Sequence, residues 1–318
     1  MTTSENAGAS VGGSPVGRPF ASPSDSGDRR TGAASGRKGD MEHLGVHGGV
    51  GGSGRLGRRQ LVALSDQLSA RDRAILGTVE RFRLVRGDQL QRLHFNTITT
   101  STGAARVARR SLQRLVESGL LARTERRVGG TGSGSTAHSY VLTAAGRRMV
   151  ALARGDGAVS DRGLHEPGLR FHQHTLAITE LHVRLVEAAW VGPLEVVAFV
   201  PEPGSWRQTA PGGVLKPDAF VIVATGEFEQ LWMVEVDLAT ESRQTIRRKL
   251  DAYVAHHATG VEQHAHGVFP LVAWLTVSPG RQKVIDSVIA TLAFSARRLF
   301  TTGLLDDPLA TLADGGTL

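Results

Sequence analysis

Residues 215–253 read LKPDAFVIVATGEFEQLWMVEVDLATESRQTIRRKLDAY. The stretch parses as strand, turn, strand, helix. Pro217-Asp218 opens an apolar run from Ala219 to Ala224, and Thr225-Gly226 is a turn signal. Leu231 to Leu238 is a second apolar run, interrupted by Glu235 and Asp237. A helix follows, with Thr240 or Ser242 as its N-cap and Glu241 in its first turn. Lys249 and Tyr253 stand four apart, and so share one face of that helix.

Three acids in or beside buried-looking strands call for an explanation, because carboxylates are rarely buried unless paired or bound to a metal. Glu235 and Asp237 are two apart and point to one side of a strand. Asp218 begins the neighbouring strand and can converge on them. Clustered oxygens suit Mg2+ or Mn2+, with phosphate supplying further ligands. A nearby lysine orients a water or offsets charge on a phosphoryl transition state. The plainer alternative is a solvated acidic face on an edge strand.

At these residues the chain resembles the PD-(D/E)XK nuclease superfamily, whose pattern is Pro-Asp, a gap, then acid-x-Lys. Pro217-Asp218 and Glu235-Val236 match, and Asp237 stands where the family has lysine. The resemblance implies a catalytic set of Asp218, Glu235, Asp237 and Lys249, the lysine now coming from the following helix. Lys249-x-x-x-Tyr253 is similar to the helical Gln-x-x-x-Tyr signature of some members. The family's first helix often adds a glutamate, for which Glu180 is the candidate, and His174 lies about one and a half turns before it.

The order of elements around the stretch agrees with that superfamily. A helix is expected over Leu169–Trp190, a strand over Leu194–Val200, an irregular loop from Pro201 to Gly213, a strand over Val268–Val277 and a last helix over Arg281–Phe300.

Charge divides the 318 residues unevenly. Residues 55–154 hold 19 Arg, no Lys and 6 acids, a net +13 within a chain of +7. That concentration is the footprint of a polyanion binder. It coincides with helix starts and stripes. Ser69 and Asp72 form a capping box, and Ile75, Leu76, Val79 and Phe82 follow at helical spacing. A short helix starts at Gly87-Asp88. A third runs from Gly103 to Glu117, with Ala104, Ala108, Leu112, Leu115 and Val116 on one face and Arg106, Arg109, Arg110, Gln113 and Arg114 on the other. Two strands, 120–128 and 139–142, flank a Gly/Ser/Thr loop, and a helix follows Thr143. This resembles a winged helix-turn-helix domain, with Tyr140-x-Leu142-Thr143-x-x-Gly146 similar to the wing's return. Arginines on such a helix reach guanine O6 and N7 in the major groove of double-stranded DNA, and Arg126 and Arg127 at the wing base would follow phosphates or the minor groove.

The expected fold is therefore mixed α+β and α/β in two domains. It comprises a Gly/Ser-rich disordered tail over 1–57 and a winged helix over 61–153. A linker over 154–168 leads to a nuclease-like mixed sheet flanked by helices over 169–300, and a C-terminal tail covers 301–318. Residues 1–57 hold 15 of the 39 glycines and too little apolar surface to offset ordering entropy. The absence of cysteine excludes disulfides and thiolate zinc sites. No run reaches membrane-spanning length and no apolar signal core begins the chain, so a cytoplasmic location without membrane partners is expected. The histidine pairs His172/His174, His256/His257 and His264/His266 complete no recognised zinc spacing. Gly129 to Gly134 lacks the Lys-Ser/Thr of a phosphate loop.

Taken together, residues 61 to about 300 look like the replication-relaxation family of actinobacteria and their plasmids. The resemblance implies a DNA-binding role in plasmid replication or DNA relaxation and allows a homodimer. Asp237 in place of lysine favours a non-catalytic protein. The alternative is a Mg2+- or Mn2+-dependent endonuclease or nickase using Asp218, Glu235 and Lys249.

Overall fold

The computed structural model describes residues 57–124, 138–155, 169–209 and 212–313. The wing-base arginines Arg126 and Arg127, the 1–56 part of the expected tail and most of the expected linker lie outside them.

The basic segment begins with α1 (Arg58–Gln67) and α2 (Ala70–Phe82). The Ser69/Asp72 capping box forms: the Asp72 amide donates to Ser69 Oγ at 3.1 Å and the Ser69 amide to Asp72 Oδ2 at 3.0 Å. β1 (Val85–Arg86), α3 (Gly87–His94) and α4 (Ser101–Glu117) follow, then β2 (Leu121–Arg123), β3 (Ser139–Leu142) and α5 (Ala144–Arg154). The strands make a small antiparallel sheet in the order β1-β3-β2. Helix α4 starts at Ser101, two residues earlier than its pattern suggests, because the Thr100 hydroxyl accepts from the Gly103 amide. It ends in a Schellman motif. Gly119 takes φ +70°, its amide donates to Val116 O, and the Leu120 amide donates to Leu115 O. That turn delivers Leu120 and Leu121 into the core, where both are buried.

Helix α5 packs tightly against this turn. A Cβ on Gly146 would lie 2.1 Å from the Leu120 carbonyl oxygen and 3.0 Å from Leu142 Cδ2. The nearest obstacle is backbone, so relief requires shifting the helix. Gly146→Ala is expected to lower stability by about 1–3 kcal/mol. An unchanged urea midpoint would show that α5 does not sit where this contact puts it.

The second segment is built on one sheet. Helix α6 (Leu169–Val191) precedes β4 (Leu194–Pro201), and β5 (Arg207–Thr209) and β6 (Gly213–Leu215) form a separate ribbon. Then come β7 (Ala219–Thr225), β8 (Phe228–Asp237), α7 (Arg243–Ala258), α8 (Val261–His266), β9 (Leu271–Thr276), α9 (Pro279–Ile289), α10 (Phe294–Arg297), β10 (Phe300–Leu304) and α11 (Leu309–Leu312). The main sheet has the order β10-β9-β8-β7-β4. It is mixed: β10, β9 and β8 run parallel, whereas β8–β7 and β7–β4 are antiparallel.

Strand β8 is central, and its alternation assigns each side chain a layer. Trp232, Val234 and Val236 join Ile178, Leu181 and Leu185 of α6 in one apolar cluster. Met233 faces the other way, against Tyr253 of α7. Glu235 and Asp237 share the parity of Met233. Both are 2% exposed, so they do not form a solvated face on an edge strand. Trp274 of β9 packs with Ile246 and Leu250 of α7 and Ile285 of α9 on that same side.

Two expectations need correction. The last helix, expected to reach Phe300, stops at Ile289. Residues 301–313, expected within a C-terminal tail, instead carry most of the edge strand β10 and helix α11. The Trp232 indole donates to Leu312 O at 3.1 Å, which anchors α11 beneath the sheet.

The two segments share one apolar cluster extending from Leu61 to Leu312, and all described residues fall within one compact unit. Polar contacts reinforce the junction. Arg92 of α3 reaches Glu180 at 2.7 Å and is bidentate on Glu187, at 2.7 and 2.5 Å, both on α6. The buried Gln89 side chain donates to Leu176 O and to Glu180.

Candidate functional site

Asp218 enters the site through backbone pairing. Its amide donates to Val234 O at 2.9 Å, which aligns the start of β7 with the end of β8. Its Oδ2 then accepts from the Val236 amide at 2.7 Å, and its Oδ1 lies 2.9 Å from His174 Nε2 on α6. Burial opposes charge on His174, but the bond to Asp218 and the charges of Asp218 and Glu202 together outweigh it and raise the imidazole pKa above its ordinary value.

Glu235 projects from β8 toward α7. The Tyr253 hydroxyl donates to its Oε1 at 2.5 Å, and Lys249 Nζ to its Oε2 at 2.8 Å. The four-residue spacing on α7 thus brings both donors onto a single carboxylate. Ser242 supplies the N-cap of α7, accepting from the Thr245 amide at 3.1 Å. Glu241, just before that cap, accepts Lys249 at 2.7 Å. Burial, then the charge of Asp218, pushes the Glu235 carboxyl up to about 7 against the pull of Lys249 and Tyr253. Burial works against charge on Lys249, but Glu235, Asp218 and Glu241 together raise its pKa, so it stays an ammonium. The Tyr253 hydroxyl, buried and facing Glu235, is held well above its ordinary range and remains a donor.

Asp237 is two residues on, yet it serves different partners. Its Oδ2 accepts Arg281 Nε at 2.5 Å, and its Oδ1 accepts the Ala239 amide at 2.8 Å. The latter stabilises a turn in which Ala239 takes φ +62°. Arg281 also donates to Glu241 O at 2.7 Å, linking this pair to the first.

The structure therefore brings together Asp218, Glu235 and Lys249, and adds His174, Tyr253 and Glu241 to them. It does not bring Glu180 to them. That carboxylate is held by Arg92, Gln89, Arg86 and Arg184 at the junction with α3. Burial works against its charge, but the bonds from Arg92 and Gln89 and the charges of Arg92 and Arg86 together outweigh it and keep its pKa low. The role of Arg281 had no local signal, since it is 44 residues from Asp237. Among the described residues, no group of three or more His, Asp or Glu side chains is arranged to hold a metal ion.

The arginine face of α4 resolves into two sets. Arg106, Arg109 and Arg110 are exposed and form no ion pair among the described residues. Arg114 instead clamps Asp72 at 2.6 and 2.8 Å, fixing α4 to the start of α2. Gln113 donates to Glu117 at 2.6 Å and accepts from Arg123. None of the described helices is long and apolar enough to cross a membrane.

Comparison with known proteins gives one family. The model of the replication-relaxation family matches residues 76–272, from within α2 to the start of β9 and more than half of the chain. No curated protein and no solved structure matches the chain.

Proposed function

The chain belongs to the replication-relaxation family, and from that premise we propose that it binds double-stranded DNA in plasmid or mobile-element replication or DNA relaxation. In this reading α2 to α5 with the small sheet are a winged helix-turn-helix. The larger sheet is a nuclease-like scaffold that does not cleave DNA. The observation that carries the proposal is the set of exposed guanidinium groups of Arg106, Arg109 and Arg110, which have no ion-pair partner among the described residues, opposite the buried stripe of Ala104, Ala108, Leu112 and Leu115. A helix anchored on one face and cationic on the other fits the major groove. Arg114 and Gln113 act one step back, holding α4 in position through Asp72 and Arg123. Arg126 and Arg127 are proposed as further phosphate contacts.

Fluorescence anisotropy with the full chain in EDTA tests this reading. A labelled duplex is expected to bind more tightly than the single strand of the same sequence, and heparin is expected to compete. Equal binding of both strands' forms would contradict a groove-reading helix.

The gathering of Asp218, Glu235 and Lys249 from three elements favours a second reading, an endonuclease or nickase. The Mg2+ or Mn2+ ion that this reading requires does not fit the donor set as arranged. Each oxygen of Asp218 and Glu235 already faces a protein donor, and the donor nearest Glu235 Oε2 is a cation. Nicking of supercoiled plasmid in either metal separates the readings. No nicking is expected, and nicking by the wild type that Asp218→Ala abolishes would establish the enzyme.

A further inference from the structure

We propose that Lys249 is an internal replacement for a divalent cation, so that the acidic pair at the heart of the sheet is complete without metal. The inference rests on the non-cleaving part of the proposed function and is independent of how α4 meets DNA. Buried carboxylates must be neutralised, by a metal or by protein cations and hydrogen bonds. For Asp218 and Glu235 every oxygen has a partner within the chain. Lys249 Nζ lies 2.8 Å from Glu235 Oε2 and 2.7 Å from Glu241 Oε1, placing one positive charge between two carboxylates. Tyr253 satisfies the other oxygen of Glu235. His174 and the Val236 amide satisfy both oxygens of Asp218. Asp237, the third acid, is drawn away by Arg281.

The lysine comes from the second turn of α7, whose start is pinned by the Ser242 cap and whose Ile246 and Leu250 are buried. It is therefore held in place by the helix. Lys249 also lies 5.7 Å from the centre of the Trp274 ring, a further cation contact beside the site. An ion entering between Asp218 and Glu235 would have to displace this ammonium and then compete with it.

The replacement predicts that removing the ammonium opens a metal site. Thermal unfolding of the wild type, Asp218→Asn, Lys249→Met and Lys249→Met/Asp218→Asn is compared in EDTA and in MnCl2, with calorimetric titration of MnCl2 alongside. The wild type is expected to show no Mn2+-dependent rise in unfolding temperature and no one-to-one binding. Lys249→Met is expected to gain both, and the added Asp218→Asn to remove them. One-to-one Mn2+ binding by the wild type that Asp218→Asn abolishes would overturn the proposal. So would a folded Lys249→Met with no Mn2+ response. If Lys249→Met does not fold, the wild-type titration with its Asp218→Asn control still decides. DNA affinity, measured separately in EDTA, keeps failure here distinct from failure of the DNA-binding reading.

Discussion

Lys249→Met is expected to cost about 3 kcal/mol of folding stability at pH 8. The substitution keeps the stem of the side chain and deletes the charge. It leaves Glu235, 2% exposed, with Tyr253 as its remaining donor and with Asp218 nearby. Breaking a buried pair from one side costs about 3–5 kcal/mol, and the lower end applies because the Lys249 side chain retains 32% exposure. The loss depends on pH. In the wild type, burial and Asp218 already lift Glu235 from 4.5 to about 7. Removing the ammonium raises it further. Between the unfolded and folded values the native state holds the proton more tightly, so stability is full below the unfolded pKa and declines as pH rises through the folded one. Near pH 5, Glu235 is neutral in both proteins and the difference between them shrinks. Denaturant midpoints at pH 5 and pH 8 check this. A loss of equal size at both would mean that the ammonium is not neutralising a buried carboxylate.

Arg106→Ala/Arg109→Ala/Arg110→Ala is expected to weaken duplex-DNA binding by about 100-fold or more at physiological salt. Each guanidinium facing a base edge contributes about 1–3 kcal/mol, and each facing a phosphate takes about one unit off the salt slope when removed. The fold is expected to be untouched, since the three side chains are exposed and unpaired among the described residues, and such substitutions change stability by about 0.5 kcal/mol or less. Arg114→Ala is the informative contrast. It leaves Asp72 without its bidentate partner and loosens α4 on α2, so its effect on binding comes with a fall in stability. Retention of full affinity by the triple variant would remove α4 as the binding element.

The parts of this fold that could be read from the chain were those set by local spacing. The Ser69/Asp72 box, the end of α4 at Glu117, the β7–β8 hairpin and the shared helix face of Lys249 and Tyr253 all depend on residues a few positions apart. What stayed hidden was set by distant pairing. Phe300–Leu304 is a short run with two threonines and a glycine, and it is a strand because β9 lies beside it in parallel register. Glu180 follows the spacing of a first-helix glutamate, but Arg92, 88 positions earlier, takes its carboxylate. Asp237 shares a strand face with Glu235, and only the position of Arg281 separates their partners. Arg114 shows the same limit: a cationic helix face looks uniform in sequence, and Asp72 on the neighbouring helix removes one of its members.

Binding of duplex DNA by the arginine-bearing helix is proposed to rest on charge, with no metal required. Its most direct test is the salt dependence of duplex affinity for the full chain in EDTA, from about 0.05 to 0.2 M monovalent salt. A linear fall of log K with log salt is expected, with a slope of about −3 or steeper from Arg106, Arg109, Arg110 and their neighbours. Affinity that is flat across that range, or that appears only when Mg2+ or Mn2+ is supplied, would contradict it.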